Sequence, residues 1–309
     1  MKIPHNWRLN EIGNYDVDGD IRLTKDYIYD GKLQIRFGRV TGNFCCYKLE
    51  LSTLEGCPAE VGGNFDCTQN KLTTLKGAPK IVGGDFYCTS NLITSLKGAP
   101  KQVKGDFNCS FAKLTTLKGA PTTVGGSFYC SGNYLISLTG APTEVGGNFE
   151  CWETRLLSLR GAPKQVGGNF DCASNKLTTL KYAPKRVGCD FDCSSNQLTS
   201  LEGLPESIRG EFKCQANKLV VLKKVPRGAT KINCYDNPLS TISIGILQFL
   251  TTSNRFSDLI KQIHYIDWAE VSGSIYSYEQ WIPKSSRIEH INMTPQQARE
   301  LKALQLSWV

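Results

Sequence analysis

Nine cysteines, Cys46, Cys67, Cys88, Cys109, Cys130, Cys151, Cys172, Cys193 and Cys214, stand 21 residues apart, and Cys234 follows after 20. A phenylalanine precedes each of the nine by two residues, from Phe44 and Phe65 to Phe212. Val40, Val61, Val82, Val103, Val124, Val145, Val166, Val187 and Ile208 keep the same step, as does a proline running from Pro58 to Pro226. A fixed period of this length commits a chain to stacked, nearly identical coils. One such coil cannot bury its apolar face alone, whereas a stack buries a continuous core.

The unit reads V-G-G-x-F-x-C-x-x-N-x-L-x-x-L-x-G-A-P. Phe and Cys, two apart, fall on one side of a short strand, and the residues between and beside them fall on the other. The asparagines at 70, 91, 133, 175, 196, 217 and 237 have short amides that can bond backbone groups of neighbouring coils. The glycines before the strand allow a tight turn and close backbone approach. Proline fixes φ on the return run.

The chain has 13 cysteines, but their spacing is a register and not a set of pairs. Side chains parallel on stacked strands suit neither a tetrahedral zinc shell nor disulfide torsions. The expectation is that they are small core residues, with no metal or cofactor. Cys45, Cys57 and Cys189 fall outside the register, and Cys45 should face outward beside Cys46.

F-x-C-x-x-N-x-L resembles the L-x-L-x-x-N-x-L core of leucine-rich repeats, with Phe and Cys at the two strand leucines. The period and the following proline look like the short bacterial type. The cysteine-bearing G-G-N-F-D-C variant, behind Asp16-Val17-Asp18-Gly19-Asp20, looks most like repeat proteins of large tailed bacteriophages. The resemblance covers roughly residues 15–240. It implies a right-handed α/β-type solenoid of about ten coils, one parallel strand per coil at about 4.8 Å spacing, with a concave sheet. It says little about function, because such folds host many binding roles.

Both ends of a solenoid need caps. Residues 1–39 are read as an N-terminal cap whose Val17–Leu23 stretch is a degenerate first strand. Residues 40–239 are the repeats. Residues 240–309 are expected to form a helix-containing cap, with Phe256, Leu259, Ile260 and Ile263 at helical spacing. A last helix is expected to start at Thr294-Pro295, and Trp268, Trp281 and Trp308 are placed in or near the cap's core.

The chemistry points away from catalysis. The three histidines, His5, His264 and His290, show no ligand spacing, and no phosphate-binding, zincin or nucleophile-elbow motif occurs. Some bacterial effectors with similar short repeats carry a cysteine-dependent ubiquitin ligase domain, but no cysteine follows Cys234, so that activity does not transfer. With 40% hydrophobic and 21% charged residues, no long apolar run and no secretory leader in the opening residues, an intracellular, cytoplasmic protein is expected. The net charge of +8 permits acidic partners without demanding them.

The expected function is therefore recognition of another protein. Strand positions facing outward read as an acidic and polar strip with aromatics in its middle. Two coils break the asparagine column, at Ala112 and Thr154, and the same coils carry Phe111 and Trp152 just after the strand. Exposed aromatics among polar residues are what binding hot spots look like. The expected site comprises Tyr87, Asp106, Phe111, Tyr129, Glu150, Trp152 and Glu153, with Arg155 at its rim. The alternative is that Phe111 and Trp152 simply fold over the gaps left by the missing asparagines.

Basic residues form two other columns, Lys76, Lys97, Lys118, Arg160, Lys181 and Lys223, and Lys80, Lys101, Lys164, Lys185 and Arg227. These make a nucleic-acid track the second reading, against which stand Glu202, Glu206 and the lack of aromatics for base stacking. A structural or virion-associated role is a third, with no coiled-coil signal to support it. The bacteriophage resemblance implies a host protein as partner, such as a defence or regulatory enzyme that the repeats inhibit. A monomer is expected.

Overall fold

The computed structural model describes residues 5–222, 224–239, 241–243 and 265–267. The chain is a parallel β-solenoid, and each regular coil contributes two short strands where one was expected. The Phe ladder has 11 strands, from Ile21–Arg22 through Phe44–Cys45 to Lys231–Asn233. The Val ladder has 10, from Trp7–Leu9 through Phe37–Val40 to Arg186–Val187. The second ladder escapes sequence reading because its strands, such as Gln165–Val166, are too short to show alternation. They also lie between a proline and a Gly-Gly pair, which ordinarily signal turns.

Register is strict. Phe86 pairs with Phe65 on one side and Phe107 on the other, and Val145 lies between Val124 and Val166. Identical side chains therefore stack. The rings from Phe44 to Phe212 form one column, with neighbouring centroids 5.1 Å (Phe86 to Phe107) to 6.1 Å (Phe191 to Phe212) apart. Beside them lie columns of buried cysteine and leucine. The ladder cysteines are free thiols, and Cys109 Sγ donates to the Tyr129 carbonyl of the next coil at 3.3 Å, a pattern repeated at Cys130, Cys151, Cys172 and Cys193. Burial pushes these thiols above their ordinary range.

Polar groups inside the stack are satisfied by two further columns. Asn175 Nδ2 donates to the carbonyls of Cys151 and Cys172, at 2.9 and 3.1 Å, while its Oδ1 accepts from Leu156 N–H. The same pattern holds for Asn70, Asn133, Asn196 and Asn217. The second column stands just before each Phe. Asn64 Oδ1 accepts from Asp85 N–H, Asp85 from Asp106, Asp106 from Ser127 and Ser127 Oγ from Asn148. The first glycine of each Gly-Gly pair is fixed by proximity: a Cβ on Gly167 would lie 1.9 Å from the Gly146 carbonyl oxygen.

At the N-terminal end, Ile21–Arg22 pairs in parallel with Phe44–Cys45. Trp7–Leu9 turns antiparallel onto Tyr15–Val17, and Trp7 packs against Tyr15, Tyr27 and Phe37. An antiparallel strand bearing Trp7 thus covers the end of the ring column through Phe37, which meets Phe44 edge-on. Of residues 240–309, the described strands Thr241–Ser243 and Tyr265–Asp267 continue a small parallel sheet begun by Val221–Leu222. The helices expected there, with Phe256, Leu259, Ile260, Ile263, Trp268, Trp281, Thr294 and Trp308, lie outside the described residues. Among the described residues no helix is long and apolar enough to cross a membrane.

Candidate functional site

The coils after Cys109, Cys130 and Cys151 depart from the consensus together. Phe111 takes a left-handed φ of 53°, the conformation its column also shows at Ser90 and Ser174. Its ring therefore leaves the coil and lies across the next one, where Gly132 makes room. A Cβ on Gly132 would stand 2.4 Å from Phe111 Cδ1. On the far side Trp152 meets the same ring edge to face, with centroids 5.7 Å apart at 69°. Trp152 is half-buried and its Nε1 donates to Glu150 Oε2 at 3.2 Å, while Phe111 remains 52% exposed. Phe111 rests on the neighbouring coil at Gly132 and on Trp152.

The missing asparagines have different consequences. Ala112 has no group to make the amide bonds of its column. Thr154 Oγ1 reaches Asn175 Oδ1 and the Cys151 carbonyl, which partly replaces them. Ser131, directly before Gly132, is 1% exposed and its Oγ has no hydrogen-bond partner.

A second exposed group continues from these coils. Leu135 is buried, so Gly132, Tyr134 and Ile136 alternate outward, and Glu153, Arg155 and Leu157 do the same one coil on. Leu157 N–H bonds the Ile136 carbonyl, which sets the two side by side. Tyr134, Ile136 and Leu157 are 43%, 58% and 57% exposed, and the Arg155 guanidinium lies 4.3 Å from the centre of the Tyr134 ring. Tyr134, Ile136 and Leu157 are absent from the sequence-derived site. The signal was present: the column that holds Ile136 and Leu157 reads Thr73, Thr94 and Thr115 before them and Thr178 and Thr199 after.

The other expected site residues are placed as follows. Tyr129 is half-buried and pairs in register with Glu150. Glu153 is exposed at a left-handed φ of 52°. Tyr87 donates its hydroxyl to Asp85 Oδ2 at 2.8 Å, and burial together with that carboxylate pushes its phenol well above the ordinary range. Asp106 is occupied by the Ser127 N–H. Cys45 is half-buried, Cys57 is buried and Cys189 is exposed.

No family model matches this chain, and no curated protein does. A solved structure similar to it is YopM from Yersinia enterocolitica WA-314, at 17% sequence identity and a TM-score of 0.37, over 67% of this chain and 52% of that one. The chain thus spans about half the length of that protein.

Charge divides between the two ladders. On the Phe ladder, Glu150, Asp171 and Asp192 occupy one register position on three successive strands. Burial, and then the two flanking carboxylates, hold Asp171 up at about 6, against the pull of the Ala173 N–H and Lys213. Along the Val ladder runs an open groove of about 1560 Å³ whose lining includes Lys104, Lys164, Arg186 and Arg209 with Glu144.

Proposed function

We propose that this solenoid is a protein-binding module of leucine-rich-repeat type, and that Phe111, Trp152, Tyr134, Ile136 and Leu157 are the apolar centre of its docking surface. The observation that carries this reading is the aromatic pair built across Gly132. Two rings from coils separated by one other meet over Gly132, the glycine that the intervening coil places in the Phe111 column, and Phe111 stays half in water. An exposed apolar cluster with a polar rim marks an interaction site, and here the rim is Glu150, Glu153 and Arg155. In keeping with the bacteriophage resemblance, the partner is a host protein in the bacterial cytoplasm that the repeats inhibit or redirect.

The test is capture from nuclease-treated bacterial lysate on the tagged chain. Phe111→Ala/Trp152→Ala and Ile136→Ser/Leu157→Ser variants of unchanged circular dichroism serve as comparisons. A stoichiometric protein retained by the wild type and lost from both variants is the expected result. Equal retention on all three chains removes the surface from the proposal.

The basic groove along the Val ladder favours nucleic acid as the second reading. Lys104, Lys164, Arg186 and Arg209 line it, and the lysine columns are exposed at every described position, Lys223 lying outside the described residues. Retention on DNA that falls steeply with salt and disappears in Lys164→Glu/Arg186→Glu would establish it.

A further inference from the structure

The chemistry of the partner is legible on the same face. Glu150 links two features: its carboxylate holds Trp152, and it heads the row that continues through Asp171 to Asp192. Among the described residues no ammonium or guanidinium lies within ion-pair distance of these three side chains. Like charges stacked on adjacent strands oppose one another; at Asp171 burial first, and then Asp192 and Glu150 on either side, push the carboxyl above its ordinary range.

The next coil shows what relieves such a row. Lys213 occupies the register position that follows Asp192, and its ammonium turns back to Asp190 Oδ2 at 3.2 Å and Glu211 Oε2 at 3.9 Å. Glu211 is also paired with Lys231 at 3.1 Å. The chain thus places its own cations on this ladder face and stops one strand short of the Asp192–Asp171–Glu150 row. That row runs directly into the exposed aromatic pair.

We infer that the surface takes a basic polypeptide segment of its partner. A lysine or arginine lies over Glu150, Asp171 and Asp192, and an adjacent apolar side chain packs on Phe111 and Trp152. The inference rests on the protein-binding reading and specifies what that site selects. Opposite charge at a desolvated rim chiefly sets selectivity and orientation, while the aromatic pair supplies affinity.

The probe is a displayed library of short random peptides selected on the full chain. Each enriched peptide is then titrated by fluorescence anisotropy against the wild type, Asp171→Asn/Asp192→Asn and Phe111→Ala/Trp152→Ala. Peptides bearing Lys or Arg next to an aromatic or aliphatic residue are expected, binding each double variant roughly tenfold or more weakly. Neutral peptides that ignore Asp171→Asn/Asp192→Asn but fail on Phe111→Ala/Trp152→Ala would overturn the basic segment and leave the docking surface standing. Acidic peptides lost on Lys164→Glu/Arg186→Glu would overturn it in favour of the Val-ladder groove. Binding indifferent to every variant, or no enrichment at all, overturns both the inference and the docking surface.

Discussion

Phe111 and Trp152 belong to coils separated by one other, and their rings meet at 5.7 Å over the backbone of the coil between. The meeting depends on Gly132. Gly132→Ala puts a methyl 2.4 Å from the Phe111 ring and gives a side chain to a residue at φ 64°. The expected result is a loss of about 1–2 kcal/mol in urea unfolding and a shift in Trp152 fluorescence as the rings part. Ser174→Ala, in the same column at φ 54°, already carries a Cβ and should change neither.

The asparagine column yields a paired prediction of opposite sign. Asn175→Ala strands the buried Leu156 N–H and takes one donor each from the Cys151 carbonyl, which keeps Thr154 Oγ1, and the Cys172 carbonyl, which keeps Asn196 Nδ2. It should cost on the order of 2–3 kcal/mol. Ala112→Asn restores the column where it lapses and should gain about 1 kcal/mol. Chemical denaturation of both variants reads the two effects. A destabilised Ala112→Asn would show that Phe111 needs the gap.

Asp171 makes the fold sensitive to pH in a stated direction. Its native pKa of about 6 lies above the ordinary 3.8, so between those values the native state binds the proton that the unfolded chain releases. Stability therefore falls as pH rises through about 6 and is higher at mildly acidic pH. Asp171→Asn keeps the acceptor for Ala173 N–H and removes the charge. It should stabilise by roughly 1–2 kcal/mol at neutral pH and flatten the profile of denaturation midpoint between about pH 4 and 6.5.

Tyr182 stands where Gly77, Gly98, Gly119, Gly140 and Gly161 take φ of 91–98°, and it holds a φ of 73° itself. Tyr182→Gly relieves that conformation at the loss of an exposed contact with Lys181. A gain of about 0.5–1 kcal/mol in thermal or urea unfolding is expected.

Thiol chemistry should separate the cysteines. Iodoacetamide followed by peptide mapping is expected to label Cys189 first and Cys45 more slowly. The buried column from Cys46 to Cys234 should label only in denaturant. Rapid native labelling at Cys130 or Cys151 would mean that the central coils open locally.

What could be read from sequence follows from what repetition makes visible. The Phe and Cys columns are identical in successive coils and the asparagine column from Asn70 to Asn237 lapses only at Ala112 and Thr154, so their period alone specifies interior position, and the buried column from Phe44 to Phe212 sits there. The Val ladder was legible as a column but not as a strand, because two residues between a proline and Gly-Gly carry no periodicity of their own. The site was half legible. Phe111 and Trp152 announce themselves as large residues among small ones, but their contact needs the left-handed turn at Phe111, which composition does not encode. Ile136 and Leu157 were hidden by being ordinary apolar residues in a leucine-rich sequence, and only comparison down the column, against threonine, marks them.

The single coil between Phe111 and Trp152 also acts as a counting constraint. A stack of interchangeable layers tolerates duplication or loss of a whole layer, since its interior is the same above and below. Most such events here would only lengthen or shorten the rod. An extra layer between Ala112 and Cys151 would instead move the two rings apart by a further ~4.8 Å, beyond edge contact, while leaving the interior intact. The part of the gene freest to change by recombination thus contains one address where the number of layers is tied to the proposed docking surface.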